Sequence, residues 1–162
     1  MKINQISPLS HPYLQILQTI ALCPDKLYSI GSLPSERKIS VAIVGTRKPS
    51  SYGKEVTHQL AYDLAKRGIV IISGLALGVD GIAHRAVLEA GGMTIAVLGN
   101  GLPKIYPSTH KALAEQIIKS GGAIISDLIQ YRTAFRVLDL LLYPFMVAQF
   151  SYRKPVYKRY FK

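Results

Sequence analysis

A second cysteine is missing. Cys23 stands alone among 162 residues, so no internal disulfide can form and a disulfide-stapled secreted scaffold is excluded. Long apolar runs are missing too, since nothing approaches the roughly 18 consecutive apolar residues that cross a bilayer. Near the N-terminus Pro8, Pro12, Gln15 and Gln18 break up the apolar positions, which argues against a signal peptide. The expectation is a cytoplasmic protein with no membrane partner. Acidic residues are scarce: 9 Asp and Glu stand against 20 Lys and Arg, a net charge of +11. That surplus favours polyanionic partners, nucleic acid ahead of an anionic membrane surface. Low hydrophobicity is not a feature of the chain. At 49% hydrophobic and 18% charged residues, it can build a core, and its length suits about one domain.

The composition shifts sharply near the end. Of the 20 basic residues 7 lie from Tyr131 onward, but only Asp139 of the 9 acidic ones does. All four phenylalanines, Phe135, Phe145, Phe150 and Phe161, fall there, and the last glycine is Gly122. A boundary is therefore expected near 127–132. It divides a core over 38–127 from a basic, aromatic tail over 128–162, and residues 1–37 form a preface and linker.

Within the core four apolar runs begin at Val41, Ile69, Thr94 and Ala123, separated by 28, 25 and 29 residues. Each is apolar at nearly every position, as a parallel strand covered on both faces must be. Helical stripes fill the gaps: Val56, Leu60 and Leu64; then Ile82, Ala86 and Val87; then Leu113, Ile117 and Ile118. Each ends at glycine, the preferred residue after a helix. Regular strand–helix alternation predicts right-handed βαβ units and a three-layer α/β fold around a parallel sheet of about four strands. In the preface, Pro12 with Leu14, Leu17, Ile20 and Ala21 predicts a helix, and 25–36 reads as a loop. The run from Val137 to Phe150 is expected to cap an exposed sheet edge. Without a cover, the edge at Ala123–Ile125 would invite aggregation.

Parallel sheets bind ligands beyond the carboxyl ends of their strands. Here the first of those turns carries Gly45, Thr46, Arg47 and Lys48. The second carries Ser73, Gly74, Leu75, Ala76 and Gly78, and the third carries Gly99 and Gly101. Glycine lets a phosphate approach backbone N–H groups, and the following helix N-terminus favours negative charge. Arg47 adds a planar fork suited to a phosphate, while Lys48 and Lys111 add point charges. Alternatively, the glycines only fit strands tightly to helices. No dinucleotide or P-loop fingerprint is present, and no cofactor is expected.

Asp80 and His84 stand four residues apart on one helical face. They could form an acid–base pair. The structural alternative has Asp80 bonded to loop backbone and His84 paired with it, and without a third ligand no metal site is expected. Ser73 lacks a nucleophile elbow, and Cys23 reads as a small core residue. In the tail, Tyr152 to Lys162 interleaves aromatics with cations. Such a pattern can stack bases while neutralising phosphates, though a disordered end would look the same.

Three ordered motifs carry a resemblance. Val41-Ala42-Ile43-Val44-Gly45-Thr46-Arg47 with Ser51-Tyr52-Gly53 resembles the opening motif of the DNA-processing protein A (DprA/Smf) family. Ser73-Gly74-Leu75-Ala76-Leu77-Gly78-Val79-Asp80-Gly81-Ile82-Ala83-His84 is similar to that family's S-G-x-A-x-G-[IV]-D-x-x-A-H signature. Val97 to Leu102 followed by Ile105-Tyr106-Pro107 is the third match. The resemblance spans about 12–127. It implies a Rossmann-like domain that binds single-stranded DNA and helps load RecA during natural transformation, without enzymatic activity. It assigns phosphate contact to Arg47, a pocket lining to Gly74, Gly78 and their neighbours, and a DNA contact to Lys111. After Ser126-Asp127 the S-E-x-P and F-P-x-R-N-R segments of the family do not follow. A truncated or frameshifted reading frame is therefore the expectation, with loss of the region that members use to self-associate as a homodimer and to contact RecA.

Two other readings stand beside a single-stranded DNA-binding module. One is a nucleotide-processing enzyme resembling the cytokinin-activating phosphoribohydrolases, whose P-G-G-x-G-T-x-x-E motif is absent here. The other is a non-functional remnant.

Overall fold

The structure is a computed structural model that describes residues 2–19, 23–127, 146–150 and 155–157. Its centre is the set of apolar runs. They form strands β3 (Ser40–Gly45), β4 (Val70–Ser73), β5 (Thr94–Val97) and β6 (Ala123–Ser126), alternating with helices α1 (Ser51–Lys66), α2 (Val79–Glu89) and α3 (Lys111–Lys119). All neighbours among these strands are parallel, with Val41 opposite Ile71, Ile72 opposite Ile95 and Ala96 opposite Ile124. Each βαβ step moves one strand further in the same direction, so right-handed crossovers put all three helices on one face.

The side chains bear this out. Val41, Ile43 and Ile71 pack against Ala61, Ala65, Ala83 and Val87 of α1 and α2. Ala96 and Ile124 pack against Leu113, Ala114 and Ile117 of α3. On the opposite face Ala42, Val70, Ile72, Ile95, Val97 and Ala123 are covered by Tyr13, Leu14 and Leu17 of the preface. Sheet, helices and preface make the three layers of a Rossmann-like α/β fold.

The preface departs from expectation. Only a short 3-10 turn, Gln15–Thr19, stands where a helix was predicted, with Ile20 and Ala21 outside the described residues. Leu14 and Leu17, three apart, eclipse one another in such a turn and point together at the sheet. The predicted loop at 25–36 contains a strand, β2 (Leu27–Gly31), and a short β1 (Asn4–Ile6) pairs with it. The sheet is therefore wider than four strands. It runs β1-β2-β6-β5-β4-β3 and continues beyond β3 into β7 (Met146–Phe150) and β8 (Pro155–Tyr157).

Neither edge of the predicted sheet is open. Strand β2 lies antiparallel along β6, with Ser29 opposite Ile125 and Gly31 opposite Ala123, so the preface covers that edge. Gly31 fits because it has φ +94° and its Cβ position falls 3.1 Å from the Ala123 Cα, room that no side chain has. At the other edge β7 pairs with β3 in parallel, Val41 opposite Met146 and Gly45 opposite Phe150. The 128–145 stretch, with the expected boundary, and the Tyr152–Lys162 aromatic pattern, apart from the backbone of β8, lie outside the described residues.

Candidate functional site

Strand order reverses at β3: the chain leaves it toward β4, and β7 lies on its other side. In open α/β sheets such a switch point places ligands beyond the carboxyl ends of the strands. The loop at that end of β3 is Gly45-Thr46-Arg47-Lys48. Lys48 donates its backbone N–H to the Thr46 hydroxyl at 3.2 Å. Ser50 then caps α1 by accepting the Gly53 N–H at 3.1 Å.

The turn after β4 is packed against this loop backbone to backbone. Val79 donates its N–H to the Thr46 carbonyl at 3.2 Å. Gly78 has φ +79°, and a Cβ there would lie 2.6 Å from the carbonyl carbon of Arg47. Only glycine fits, on both counts. Arg47 and Lys48 themselves are exposed. Arg47 makes no described ion pair, although its charge lies near enough to Asp80 to act on that carboxyl.

The amides of the glycine turn face inward, contrary to the expectation that they stand bare for a ligand. Asp80, in the first turn of α2 and 4% exposed, accepts the N–H of Gly74 at 3.1 Å and of Ala76 at 3.4 Å. Burial pushes its carboxyl up; the amides of Ala76, Gly45 and Gly74 and the Arg47 charge pull the other way. The turn has its own internal acceptor. The backbone N–H groups of Gly74 and Ala76 are thus engaged by Asp80 within the fold.

Ser73 also faces inward. It is fully buried and its hydroxyl donates to the Ile43 carbonyl at 2.6 Å, locking β4 to β3. Leu75 has φ +59° and a fully buried side chain in the α3 cluster. In the third turn Gly101 is buried and Gly99 half-buried. The organiser there is Asn100, which the sequence reading left without a role. Its amide donates to the carbonyls of Lys104 at 2.5 Å and Gly101 at 3.3 Å, and its own carbonyl accepts from the Ser126 hydroxyl at 3.0 Å.

Asp80 and His84 do not pair. The Thr94 hydroxyl donates to the Ile71 carbonyl at 2.8 Å, so it accepts from His84 Nδ1 at 2.7 Å, fixing the proton on that nitrogen. Burial holds the His84 imidazole down to about 3, with the His110 and Arg85 charges adding to it. An acid–base couple at these two residues is excluded by their separate partners, while the bond between Asp80 and loop backbone is as expected. His110 caps α3 from a buried position: Nδ1 is 2.8 Å from the Leu75 carbonyl, and Gly81 leaves room for its ring. Lys111 follows, exposed at the start of α3.

Cys23 is half-buried against the preface-side core. Burial, then Asp25, pushes its thiol up, which disfavours the thiolate. No group of three potential metal ligands occurs among the described residues, and none of the helices there is long and apolar enough to cross a membrane.

Comparison with known proteins places the fold in a family. The family described as DNA recombination-mediator protein A matches residues 4–137, past the point at which the motif resemblance stopped. Protein Smf of Escherichia coli is 43% identical over 104 residues, 64% of this chain and 28% of that protein. Among solved structures, DNA processing protein A of Streptococcus pneumoniae superposes with TM-score 0.77 at 28% identity, covering 92% of this chain and 54% of that one. DNA processing protein A of Helicobacter pylori, solved for its single-stranded DNA binding mode, gives TM-score 0.69 at 30% identity over 87% and 66%. The chain spans less than a third of the length of the Escherichia coli relative. It belongs to the DNA recombination-mediator protein A family.

Proposed function

We propose that this member of the DNA recombination-mediator protein A family binds single-stranded DNA across the carboxyl-end rim of its sheet, by side-chain cations rather than by an amide cradle. One observation carries the reading. Arg47 is exposed, in no described ion pair, and stands on a loop braced through Thr46, Gly78 and Val79. Bracing of the loop backbone fixes where the Arg47 side chain starts, so less is left to order when its fork meets a phosphate. Lys48 on the same loop and Lys111 at the start of α3 extend the positive rim, with Thr46 and Gly78 as its floor. The net charge of +11 supplies the wider attraction. The single-stranded DNA bound by the Helicobacter pylori relative supports the choice of ligand.

The protein acts by binding and not by catalysis. Ser73, Asp80 and His84 are buried, with the Ser73 hydroxyl, the Asp80 carboxylate and His84 Nδ1 bonded inside the fold. Its place is in the cytoplasm, in the handling of incoming single-stranded DNA during transformation. A fluorescently labelled oligothymidylate titrated with wild type and with Arg47→Ala tests the DNA reading. The variant binds at least about tenfold more weakly, the loss expected for one charge-assisted contact. Equal affinity, with both proteins folded, overturns it.

A further inference from the structure

Two tyrosines stand at the same rim with most of their surface in solvent: Tyr52 is 68% exposed and Tyr106 is 62% exposed. Single exposed aromatics are ordinary. This pair is distinguished by position. Tyr52 lies in the first turn of α1, five residues after Arg47; Tyr106 lies in the loop after β5, five residues before Lys111. Strand β4 separates β3 from β5, so the carboxyl ends of β3 and β5 lie about 10 Å apart, two strand spacings, on either side of the glycine turn. Between them Leu77, at the tip of that turn, is 46% exposed. Each flanking loop thus brings one exposed ring and one exposed cation to the rim, and the middle loop brings an apolar tip.

We propose that Tyr52 and Tyr106 are base-stacking positions, so that the site takes unpaired bases as well as phosphates. The inference rests on the single-stranded DNA reading above and adds what that reading lacks, a reason for preferring an unpaired strand. Phosphates are common to single and double strands, whereas a base offers its flat face to a ring only when unpaired. Arg47 and Lys111 hold the backbone while the rings take bases on either side of Leu77. Stacking on a tyrosine is indifferent to which base is present, so the site discriminates strandedness and not sequence.

The experiment compares a labelled oligothymidylate with an abasic oligodeoxynucleotide of equal length, using wild type, Tyr106→Ala, Tyr52→Ala, Tyr106→Phe and Arg47→Ala. Thermal melts show whether each variant is folded, which exposed positions make safe. Each tyrosine-to-alanine change is expected to weaken oligothymidylate binding about 5- to 150-fold. It leaves the salt dependence and the abasic affinity as in wild type, and Tyr106→Phe binds like wild type. Arg47→Ala weakens both oligonucleotides. If both alanine variants bind oligothymidylate like wild type while Arg47→Ala does not, stacking is wrong and the DNA reading stands. A loss equal on both oligonucleotides also refutes stacking, because the rings then act without a base. Failure of the wild type to bind either oligonucleotide overturns the DNA reading and this inference with it.

Discussion

The carboxylate of Asp80 accepts the backbone N–H of Gly74 at 3.1 Å. A side chain from the first turn of α2 therefore sits where an anionic ligand would sit in a phosphate-binding glycine turn. The turn amides of Gly74 and Ala76 are satisfied from within. This contact separates the rim into an inner layer that holds shape and an outer layer, Arg47, Lys48 and Lys111, that meets solvent.

Removing that carboxylate is costly. Asp80→Ala leaves the Gly74 and Ala76 amides buried without acceptors, and a loss of about 2–4 kcal/mol in urea unfolding is expected. Asp80→Asn, whose amide oxygen can still accept, loses distinctly less and keeps its DNA affinity. Equal stability of wild type and Asp80→Ala would contradict the arrangement.

Gly78→Ala tests the bracing of the Arg47 loop. The new Cβ meets the Arg47 carbonyl carbon at 2.6 Å and the backbone must keep φ at +79°. Stability falls by about 1–3 kcal/mol. DNA affinity falls as well, though no DNA-contacting side chain is altered. A variant with unchanged affinity would show that loop position does not matter.

Ser73→Ala separates an inner residue from an outer one. Its hydroxyl donates to the Ile43 carbonyl inside the fold, so the change costs about 1 kcal/mol of stability. Oligonucleotide affinity stays within about twofold of wild type. A larger loss of affinity in a folded variant would return Ser73 to the interface.

His84 makes stability depend on pH. Its imidazole stays neutral in the fold down to about pH 3 but takes a proton near pH 6.5 when unfolded. The unfolded chain then binds more protons, so stability falls as pH drops from 6.5 toward 3, by at most about 1.4 kcal/mol per unit. Asp80, its carboxyl pushed up by burial, works in the opposite sense. Its contribution is present below its unfolded value of 3.8 and is lost as pH rises through the folded one. The His84 effect is therefore read from about pH 6.5 to 5. His84→Asn is less stable at neutral pH, and its deficit narrows across that range; a constant deficit would contradict the buried neutral imidazole.

The doubly covered strands were plain in the sequence because nothing but apolar residues suits them. The runs at Val41–Val44, Ile69–Ile72, Thr94–Leu98 and Ala123–Ile125 match β3 to β6 within about a residue at most ends. Strand β2 was hidden. It buries Leu27, Ser29 and Ile30 while Tyr28 is half-exposed, a pattern with neither clean alternation nor an unbroken run. The preface gave the right buried residues, Leu14 and Leu17, on the wrong helix, since five residues are too few to hold an α-helix against solvent.

At the site, the sequence placed Arg47, Lys48 and Lys111 on the exposed rim. It could not tell which amides are already taken. The spacing of Asp80 from Gly74 and Ala76 is six and four residues across a turn, and only three dimensions bring them together. For the same reason the sequence could not show that Ser73 and Gly101 are buried while Tyr52 and Tyr106 stand in solvent.

The central claim, that a cation at Arg47 grips a phosphate of a single strand, is tested most directly by salt. Oligothymidylate affinity is measured for wild type and Arg47→Ala across a series of sodium chloride concentrations. The log–log slope of the variant is predicted to be shallower by about 0.7, the share of one phosphate contact on a single strand. Identical slopes, or binding by the wild type that ignores salt, would contradict it.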